Sequence, residues 1–202
     1  MVMKICCSAP RIAGITMLAL LLAVSASAAN LTVCPDGCEY STIQKAINAS
    51  SNGDTILVHS GTYFENVKVN KKLTLRGIGN PVVDTGGSGS AITLSANGIT
   101  LEGFTATGGY GNFYPNFPEA GIKITSSNNT LIGNNASSNN YYEGIGISLY
   151  DSSSNILSGN NASKNQRGIF LMDSRNNMLF GNNASKRLHR HQSVLFWQSC
   201  AH

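Results

Sequence analysis

A five-residue motif that occurs three times constrains the fold of this 202-residue chain more than any other feature. The motif, Gly-Asn-Asn-Ala-Ser, begins at Gly133, Gly159 and Gly181, so its copies are 26 and 22 residues apart. Internal repeats of this length are typical of solenoids, in which each unit packs only against its neighbours. The repeat therefore predicts a stack of coils, which we place at residues 53–186.

Two short apolar elements accompany the motif. A Gly-Ile element begins at Gly121, Gly146 and Gly168, and an Asn-x-Leu element precedes each Gly-Asn-Asn triplet. Alternating apolar and polar residues in these elements predict short strands separated by polar turns. Equivalent strands on adjacent coils would pair about 4.8 Å apart, so equivalent side chains should form columns. The predicted interior columns are Leu75, Leu101, Leu131, Leu157 and Leu179, and Ile92, Ile122, Ile147 and Ile169.

Asparagine is the second signature of the repeat. At the spacing of paired strands, identical Asn side chains can hydrogen-bond from coil to coil. The predicted ladders are Asn129, Asn155 and Asn177, and Asn134, Asn160 and Asn182. Only 12% of the residues are charged and 42% are apolar, which argues against a disordered chain, and the turn-forming residues argue against a helical bundle.

The first 29 residues have the pattern of a secretory signal. Lys4 and Arg11 precede the apolar run 12–24, which is followed by the small residues Ala26-Ser27-Ala28. This run is too short to span a bilayer, so we predict a cleaved signal peptide, no transmembrane segment after cleavage, and a secreted, extracellular or cell-envelope protein. An oxidising compartment favours a disulfide between Cys34 and Cys38, because no further metal ligands lie near them.

Residues 30–52 are predicted to cap the stack. The segment 40–50 places Ile43, Ala46 and Ile47 on one helical face, and Ser41 or Thr42 can cap its first turn. An open β-helix end exposes strand edges and its apolar core, so a short covering helix is expected there.

The order of motifs along residues 31–186 resembles a known family. Y-x-x-I-Q-x-A-I begins at Tyr40, G-D-T-I at Gly53, G-x-Y-x-E-N-V at Gly61 and L-T-L-x-G at Leu73, ahead of the N-x-L-x-G-N-N repeats. This order is similar to the pectin-lyase-like right-handed parallel β-helix superfamily, and most closely to NosD-type repeat proteins of secreted and cell-surface chains. The resemblance implies an all-β, right-handed single-stranded parallel β-helix (solenoid) with a short N-terminal capping helix.

Two expanded coils carry the leading functional hypothesis. Six of their residues are aromatic and two are glutamates, and aromatic faces beside carboxylates suit sugar rings. We therefore predict a structural or binding module for an extracellular polysaccharide or glycan. The predicted ligand-binding residues are Tyr110, Phe113, Tyr114, Phe117, Glu119, Tyr141, Tyr142 and Glu143. The alternative is that this loop packs its aromatic residues against the solenoid.

The resemblance also implies two other functions. One is a polysaccharide lyase or glycoside hydrolase, for which calcium would be the cofactor of a lyase. Asp151 and Asp173, at equivalent positions of adjacent coils, are weak candidates for a shared cation, although both lie in turn-like sequences. The short motifs of the polygalacturonase and pectinesterase branches are absent, which leaves enzyme activity uncertain. The other function is NosD-type copper processing in the periplasm, but few Cys, Met and His residues support it. No cofactor is otherwise predicted.

The formal charge of +4 suggests an acidic partner such as nucleic acid, but the distribution of the basic residues argues against it. Five of the 14 basic residues lie in the signal or from residue 186 onwards, which leaves nine against ten acidic residues in the body. We therefore predict no nucleic-acid partner. Six N-glycosylation sequons are candidates wherever the host has the machinery: Asn30, Asn48, Asn128, Asn135, Asn161 and Asn183.

The tail, residues 187–202, departs from the repeat. One interpretation is a metal site from His189, His191, Cys200 and His202, although their spacing matches no structural zinc pattern. A second is a cap, with residues 194–197 covering the open end of the core. We favour a third, a frameshift or truncation of a longer repeat protein, because caps normally keep a polar outer face. An uncovered coil end would also promote self-association.

Overall fold

The structure is a computed structural model that describes residues 27–109, 119–139 and 144–184. One helix, α1 (Ile43–Ala49), and fifteen strands lie in these ranges. The strands are, in chain order, β1 (Asn30–Val33), β2 (Thr55–His59), β3 (Thr62–Phe64), β4 (Val67–Val69), β5 (Thr74–Ile78), β6 (Val82–Asp84), β7 (Ile92–Leu94), β8 (Thr100–Glu102), β9 (Thr105–Thr107), β10 (Ala120–Ile124), β11 (Thr130–Ile132), β12 (Ile145–Tyr150), β13 (Ile156–Ser158), β14 (Arg167–Met172) and β15 (Met178–Phe180).

Successive coils contribute strands to three parallel sheets. The seven-stranded sheet has the order β1-β2-β5-β8-β11-β13-β15, and the five-stranded sheet the order β14-β12-β10-β7-β4. The three-stranded sheet, β3-β6-β9, is continued by bridges from Thr105 through Asn135 and Asn161 to Asn183. Neighbouring strands come from successive coils and run parallel, which confirms the predicted parallel β-helix.

Both predicted apolar columns are present in register. Leu75, Leu101 and Leu131 pair in sequence and are fully buried, and the column continues through Leu157 to Leu179. The isoleucine column pairs in the five-stranded sheet in the predicted order, Ile92, Ile122, Ile147 and Ile169. Burial of these branched side chains, each worth about 1.5–3 kcal/mol, is the main force that holds the coils together.

The two predicted asparagine ladders also form. Asn155 Oδ1 accepts hydrogen bonds from both the backbone N and Nδ2 of Asn129, each at 2.9 Å, and Asn177 Oδ1 does the same for Asn155. The second ladder makes the same pairs of contacts through Asn134, Asn160 and Asn182. Each asparagine therefore supplies the acceptor that a buried amide of the preceding coil requires.

A third ladder escaped the sequence prediction. Asn165 Oδ1 accepts from the backbone N of Asn139 at 2.7 Å, and Asn139 Oδ1 accepts from that of Gly109 at 3.0 Å. This ladder explains the glycine of the Gly-Ile element, because a Cβ at Gly121 would lie only 2.5 Å from Asn139 Nδ2. The glycine of Gly-Asn-Asn has another cause: Gly133 has φ +58°, a left-handed turn conformation that glycine adopts without strain.

The N-terminal cap is tied to the first coils by polar side chains. Helix α1 starts at Ile43, and Thr42, one of the two predicted capping residues, is extended and accepts a hydrogen bond from Lys45 N. Glu65 accepts from the backbone N atoms of Ile43 and Gln44 at 2.8 and 3.0 Å. At the other end, Lys71 Nζ donates to three carbonyl groups between residues 47 and 50, at 2.6–2.9 Å. Opposite charges therefore hold the two ends of the helix.

Asp54 fixes the chain on either side of the cap. Its carboxylate accepts from Ala29 N at 2.8 Å and from Ser51 N at 2.7 Å. These two backbone hydrogen bonds, Ser51 first and Ala29 second, lower the pKa of Asp54 below its ordinary value of 3.8.

Replacing the central asparagine of a ladder tests the contribution of these contacts. Asn160→Ala removes the acceptor of two Asn134 donors, and we expect it to lower the free energy of unfolding by about 2–4 kcal/mol. Urea denaturation measures the change, with Asn70→Ala at an exposed position as the control. Equal losses in the two variants would contradict a structural role for the ladder.

The cap makes a second prediction. Lys71→Met keeps the aliphatic chain but removes all three carbonyl contacts, and should cost about 2 kcal/mol. The adjacent, exposed Lys72 provides the matched control, Lys72→Met. Thermal unfolding of the two variants should separate them; a Lys72 variant as unstable as the Lys71 variant would refute the assignment.

A third prediction concerns acid stability. Because the folded pKa of Asp54 is depressed, its stabilisation is complete above the ordinary pKa of 3.8 and is lost as the pH falls through the lower folded value. Asp54→Asn should therefore reduce stability at neutral pH and flatten its decline between about pH 4 and pH 2. Chemical denaturation as a function of pH measures this slope, and an unchanged slope would contradict the prediction.

Candidate functional site

The structure locates the edges of the predicted aromatic site but not most of its residues. Glu119 is described, whereas the other seven predicted ligand-binding residues lie outside the described ranges: Tyr110, Phe113, Tyr114, Phe117, Tyr141, Tyr142 and Glu143. The two expansions leave the solenoid at Gly109 and Asn139, which are hydrogen-bonded to each other, and return at the paired residues Ala120 and Ile145. The described residues on either side of the two insertions therefore lie at the same edge of the five-stranded sheet.

The outer face of this sheet carries one column of alternate residues. Because the isoleucine column faces the core, the residue that follows each isoleucine faces outwards. In register, the outward column is Lys68, Thr93, Lys123, Ser148 and Phe170. The third position of each Gly-Ile element holds Lys123, Ser148 or Phe170, and these residues share no chemistry from which the sequence alone would indicate a column.

Glu119 is held at the rim of this face. Its Oε1 forms an ion pair with Lys123 Nζ at 2.8 Å. Glu119 directly precedes β10, and Lys123 lies four residues later on that strand. Its Oε2 accepts a hydrogen bond from Ser90 Oγ, which in turn accepts from Ala120 N at 3.0 Å. The carboxylate is therefore fixed in position between a buried hydroxyl and a cation, and it remains partly exposed.

Beyond Lys123, the outward column holds a buried serine and an aromatic residue. Ser148 pairs with Lys123 on one side and with Phe170 on the other. Its side chain is fully buried, yet its Oγ has no hydrogen-bond partner among the described residues. The Arg167 guanidinium lies 5.3 Å from the centroid of the Phe170 ring, within cation–π distance. The acid, the cations and the ring thus lie along one side of the sheet, whereas the Ser148 hydroxyl between them is buried.

The two aspartates proposed as a weak cation site occupy turns. Asp151 and Asp173 directly follow the paired residues Tyr150 and Met172, so they lie on adjacent coils as predicted. Both are exposed and have φ values of +44° and +50°, a conformation that Asp adopts in turns. Within the described ranges, no group of three or more His, Cys, Asp or Glu side chains is placed to hold a metal ion.

Of the remaining predicted sites, some lie within the described residues and others lie outside them. The disulfide between Cys34 and Cys38 is present, with Cα atoms 5.4 Å apart. The tail with His189, His191, Cys200 and His202 lies outside the described residues. Sequon use stays a prediction. Four sequon asparagines are exposed, at positions 30, 48, 128 and 183, whereas Asn135 and Asn161 are half-buried.

The fold and the predicted signal define a class: parallel β-helix proteins of the cell envelope or exterior. The chain belongs to the NosD family, described as periplasmic copper-binding protein, whose model matches residues 47–197. A cell surface glycoprotein of Methanothermus fervidus is 36% identical over 108 residues, which is 52% of this chain and 18% of that protein. The chain therefore corresponds to less than a fifth of that relative's length. Both matches agree with the predicted location.

Solved structures with a similar fold include pectin methylesterases. That of Aspergillus niger has a TM-score of 0.45 and 15% identity, covering 84% of this chain and 93% of that one. A pectin methylesterase in complex with a hexasaccharide has a TM-score of 0.44 and 15% identity, covering 72% and 56%. Similarity at this level carries no conclusion about activity.

The family description raises the question of copper, which the described donors do not fit. Cys34 and Cys38 are oxidised, and His59 lies on β2, whereas Met172 and Met178 lie on the last coil. Soft copper sites combine Cys, Met and His ligands. Among the described residues, His59 and the two methionines lie on strands near opposite ends of the stack, and no group of three or more His, Cys, Asp or Glu side chains is placed to hold a metal ion. Over the same residues, no helix is long and apolar enough to cross a membrane.

Proposed function

We propose that the chain is a binding module of the cell envelope or cell surface and that the outer face of the five-stranded sheet recognises carbohydrate. The observation that carries the proposal is the fixed, partly exposed Glu119–Lys123 pair at the start of the strand whose outward column also holds the Phe170 ring. Sugar binding requires few, well-positioned polar groups next to an apolar surface.

The geometry suits a saccharide in two respects. Glu119 and Lys123 present an acceptor and donors whose positions are set by the backbone of β10 and by Ser90, so little side-chain entropy is lost on binding. Phe170 offers a ring face on which the C–H groups of a pyranose can stack. A linear polysaccharide running along the coils would contact several rungs of the same column.

Both comparisons by sequence support an extracellular setting in which such a ligand is met. The related protein is named a cell surface glycoprotein, and the family is described as periplasmic. The described residues that flank the two insertions lie at the same edge of the sheet, and we expect the predicted aromatic residues of the insertions, Tyr114 and Tyr142 among them, to enlarge the apolar contact.

Glycan-array binding tests the proposal. We expect Lys123→Met and Phe170→Ala to weaken binding of the preferred glycan about tenfold or more, because each removes one of the few specific contacts. The matched control is Arg76→Met, which breaks the Arg76–Glu102 ion pair on the seven-stranded sheet instead. Binding that survives both variants, or falls equally in the control, would contradict the proposed face.

The insertions are tested separately with Tyr114→Ala and Tyr142→Ala, which should abolish binding while circular dichroism shows an intact β-helix. Unchanged binding would restrict the site to the sheet face.

Incubation with acidic and neutral polysaccharides, with and without calcium, distinguishes binding from the lyase or hydrolase alternative, since only an enzyme releases shortened products.

A further inference from the structure

One column of asparagines faces away from the core. The bridges that continue the three-stranded sheet join Asn135, Asn161 and Asn183 on successive coils. Ala136 and Ala162 point into the core and are fully buried, so the asparagine before each of them points outwards. Asn135 and Asn161 are half-buried, and each begins an Asn-Ala-Ser sequon whose three residues are all described. We call these two asparagines the sequon pair.

Hydrogen bonds hold both side chains of the sequon pair in the same orientation. Asn161 Nδ2 donates to Asn135 Oδ1 at 3.2 Å. Each Oδ1 also accepts from the backbone N two residues later, Ser137 N for Asn135 and Ser163 N for Asn161, at 3.2 Å in both cases. Such Asx turns fix the carboxamide relative to the backbone. The two carboxamides therefore lie one above the other on adjacent coils.

The two side-chain amides differ in what they contact. Asn161 Nδ2 donates within the sequon pair, whereas Asn135 Nδ2 has no hydrogen-bond acceptor among the described residues. N-glycosylation attaches the first sugar to Nδ2 of a sequon asparagine. A glycan on Asn161 would thus start from the atom that contacts Asn135, whereas a glycan on Asn135 leaves the hydrogen bond between them intact.

We propose that Asn135 carries the glycan of the sequon pair and that this glycan excludes a second one on Asn161 in the same folded molecule. Equivalent atoms of adjacent coils are about 4.8 Å apart. N-linked glycans are bulky, and the Asx turns aim both side chains in one direction, so two glycans starting from this pair would overlap. Asn135 also precedes Asn161 along the chain, so an enzyme that acts during export meets it first.

The transfer requires an oligosaccharide activated on a lipid phosphate, which the export machinery of the host supplies. The anomeric carbon of the sugar forms a bond to Asn135 Nδ2 while its bond to the phosphate oxygen breaks. The proton lost by the amide leaves with the lipid phosphate, and nothing is oxidised or reduced. Asn135 Oδ1 is unchanged by the transfer, so it still accepts from Ser137 N and Asn161 Nδ2.

This modification belongs to a different face from the one that we propose for carbohydrate binding. The six sequon asparagines lie on β1, on α1, in the turn before β11 and in the bridge column. None of them belongs to a strand of the five-stranded sheet. A glycan on Asn135 therefore starts from the third face of the solenoid.

The sequence makes the exclusion directly measurable. The tryptic peptide 124–164 contains no internal Lys or Arg and carries both members of the sequon pair, so it reports on the two sites of one molecule. The full chain is secreted from a yeast, and the folded fraction, checked by circular dichroism, is digested. A glycosidase in heavy-oxygen water then converts each glycan-bearing Asn to a labelled Asp. We expect peptides labelled at Asn135 and unlabelled at Asn161.

Two variants test whether the glycan on Asn135 causes the exclusion. Ser137→Ala removes the sequon but keeps the Asn135 side chain, and Asn135→Gln removes the acceptor itself. In both variants, labelling of Asn161 should rise several-fold. Asn30→Gln is the matched control, because it removes a sequon on β1, at the other end of the stack, and should leave Asn161 unlabelled.

Peptides of the parent chain that are labelled at both positions of the sequon pair, at neither, or at Asn161 alone would overturn the proposal. So would an Asn161 that stays unlabelled in both variants, or one that gains label in the Asn30 control.

Discussion

The hydrogen bond from a backbone amide to the Asn side chain of the following coil is the contact on which the later coils of this solenoid depend. A β-helix must turn corners, and at each corner an amide leaves the sheet with no strand partner. Asn155, Asn160 and Asn165 place an acceptor at three such corners of one coil. Their own Nδ2 groups donate to the next rung or to nearby carbonyls, so a buried polar column is satisfied throughout. Where the ladders stop, at Ile99, Phe104 and Gly109, the earlier coils rely on apolar packing instead.

Much of this fold was predictable because equivalent positions of the repeat indicate which residues pair between adjacent coils. The leucine and isoleucine columns and two Asn ladders follow from equivalent positions around Gly133, Gly159 and Gly181. The third ladder could not be predicted in this way, because Asn139 and Asn165 fall outside the five-residue motif. The next equivalent position in the sequence holds Arg187, so the asparagine does not recur there. The outward residues Lys123, Ser148 and Phe170 share no residue type, so only the strand pairing reveals that they form a column.

The motifs that gave the family resemblance have structural roles in the cap. Gln44 hydrogen-bonds the backbone of Lys68, Glu65 binds the first amides of the helix, and Asp54 ties two segments together. These residues close one end of the core, which every β-helix of this kind must do. They are therefore specific for the fold and carry no information about a ligand, whereas the face that we propose for binding varies from rung to rung.

The ladders also have a direction. In the three ladders, each Asn Oδ1 accepts hydrogen bonds from the coil before it, and α1 lies at the N-terminal end of the stack. A tandem duplication of one coil-encoding segment of the gene would thus insert a unit whose acceptors and donors match those of its neighbours on both sides. Such a chain can grow or shrink by whole coils during evolution without inventing a new interface, which is a simple route to surface proteins of very different lengths.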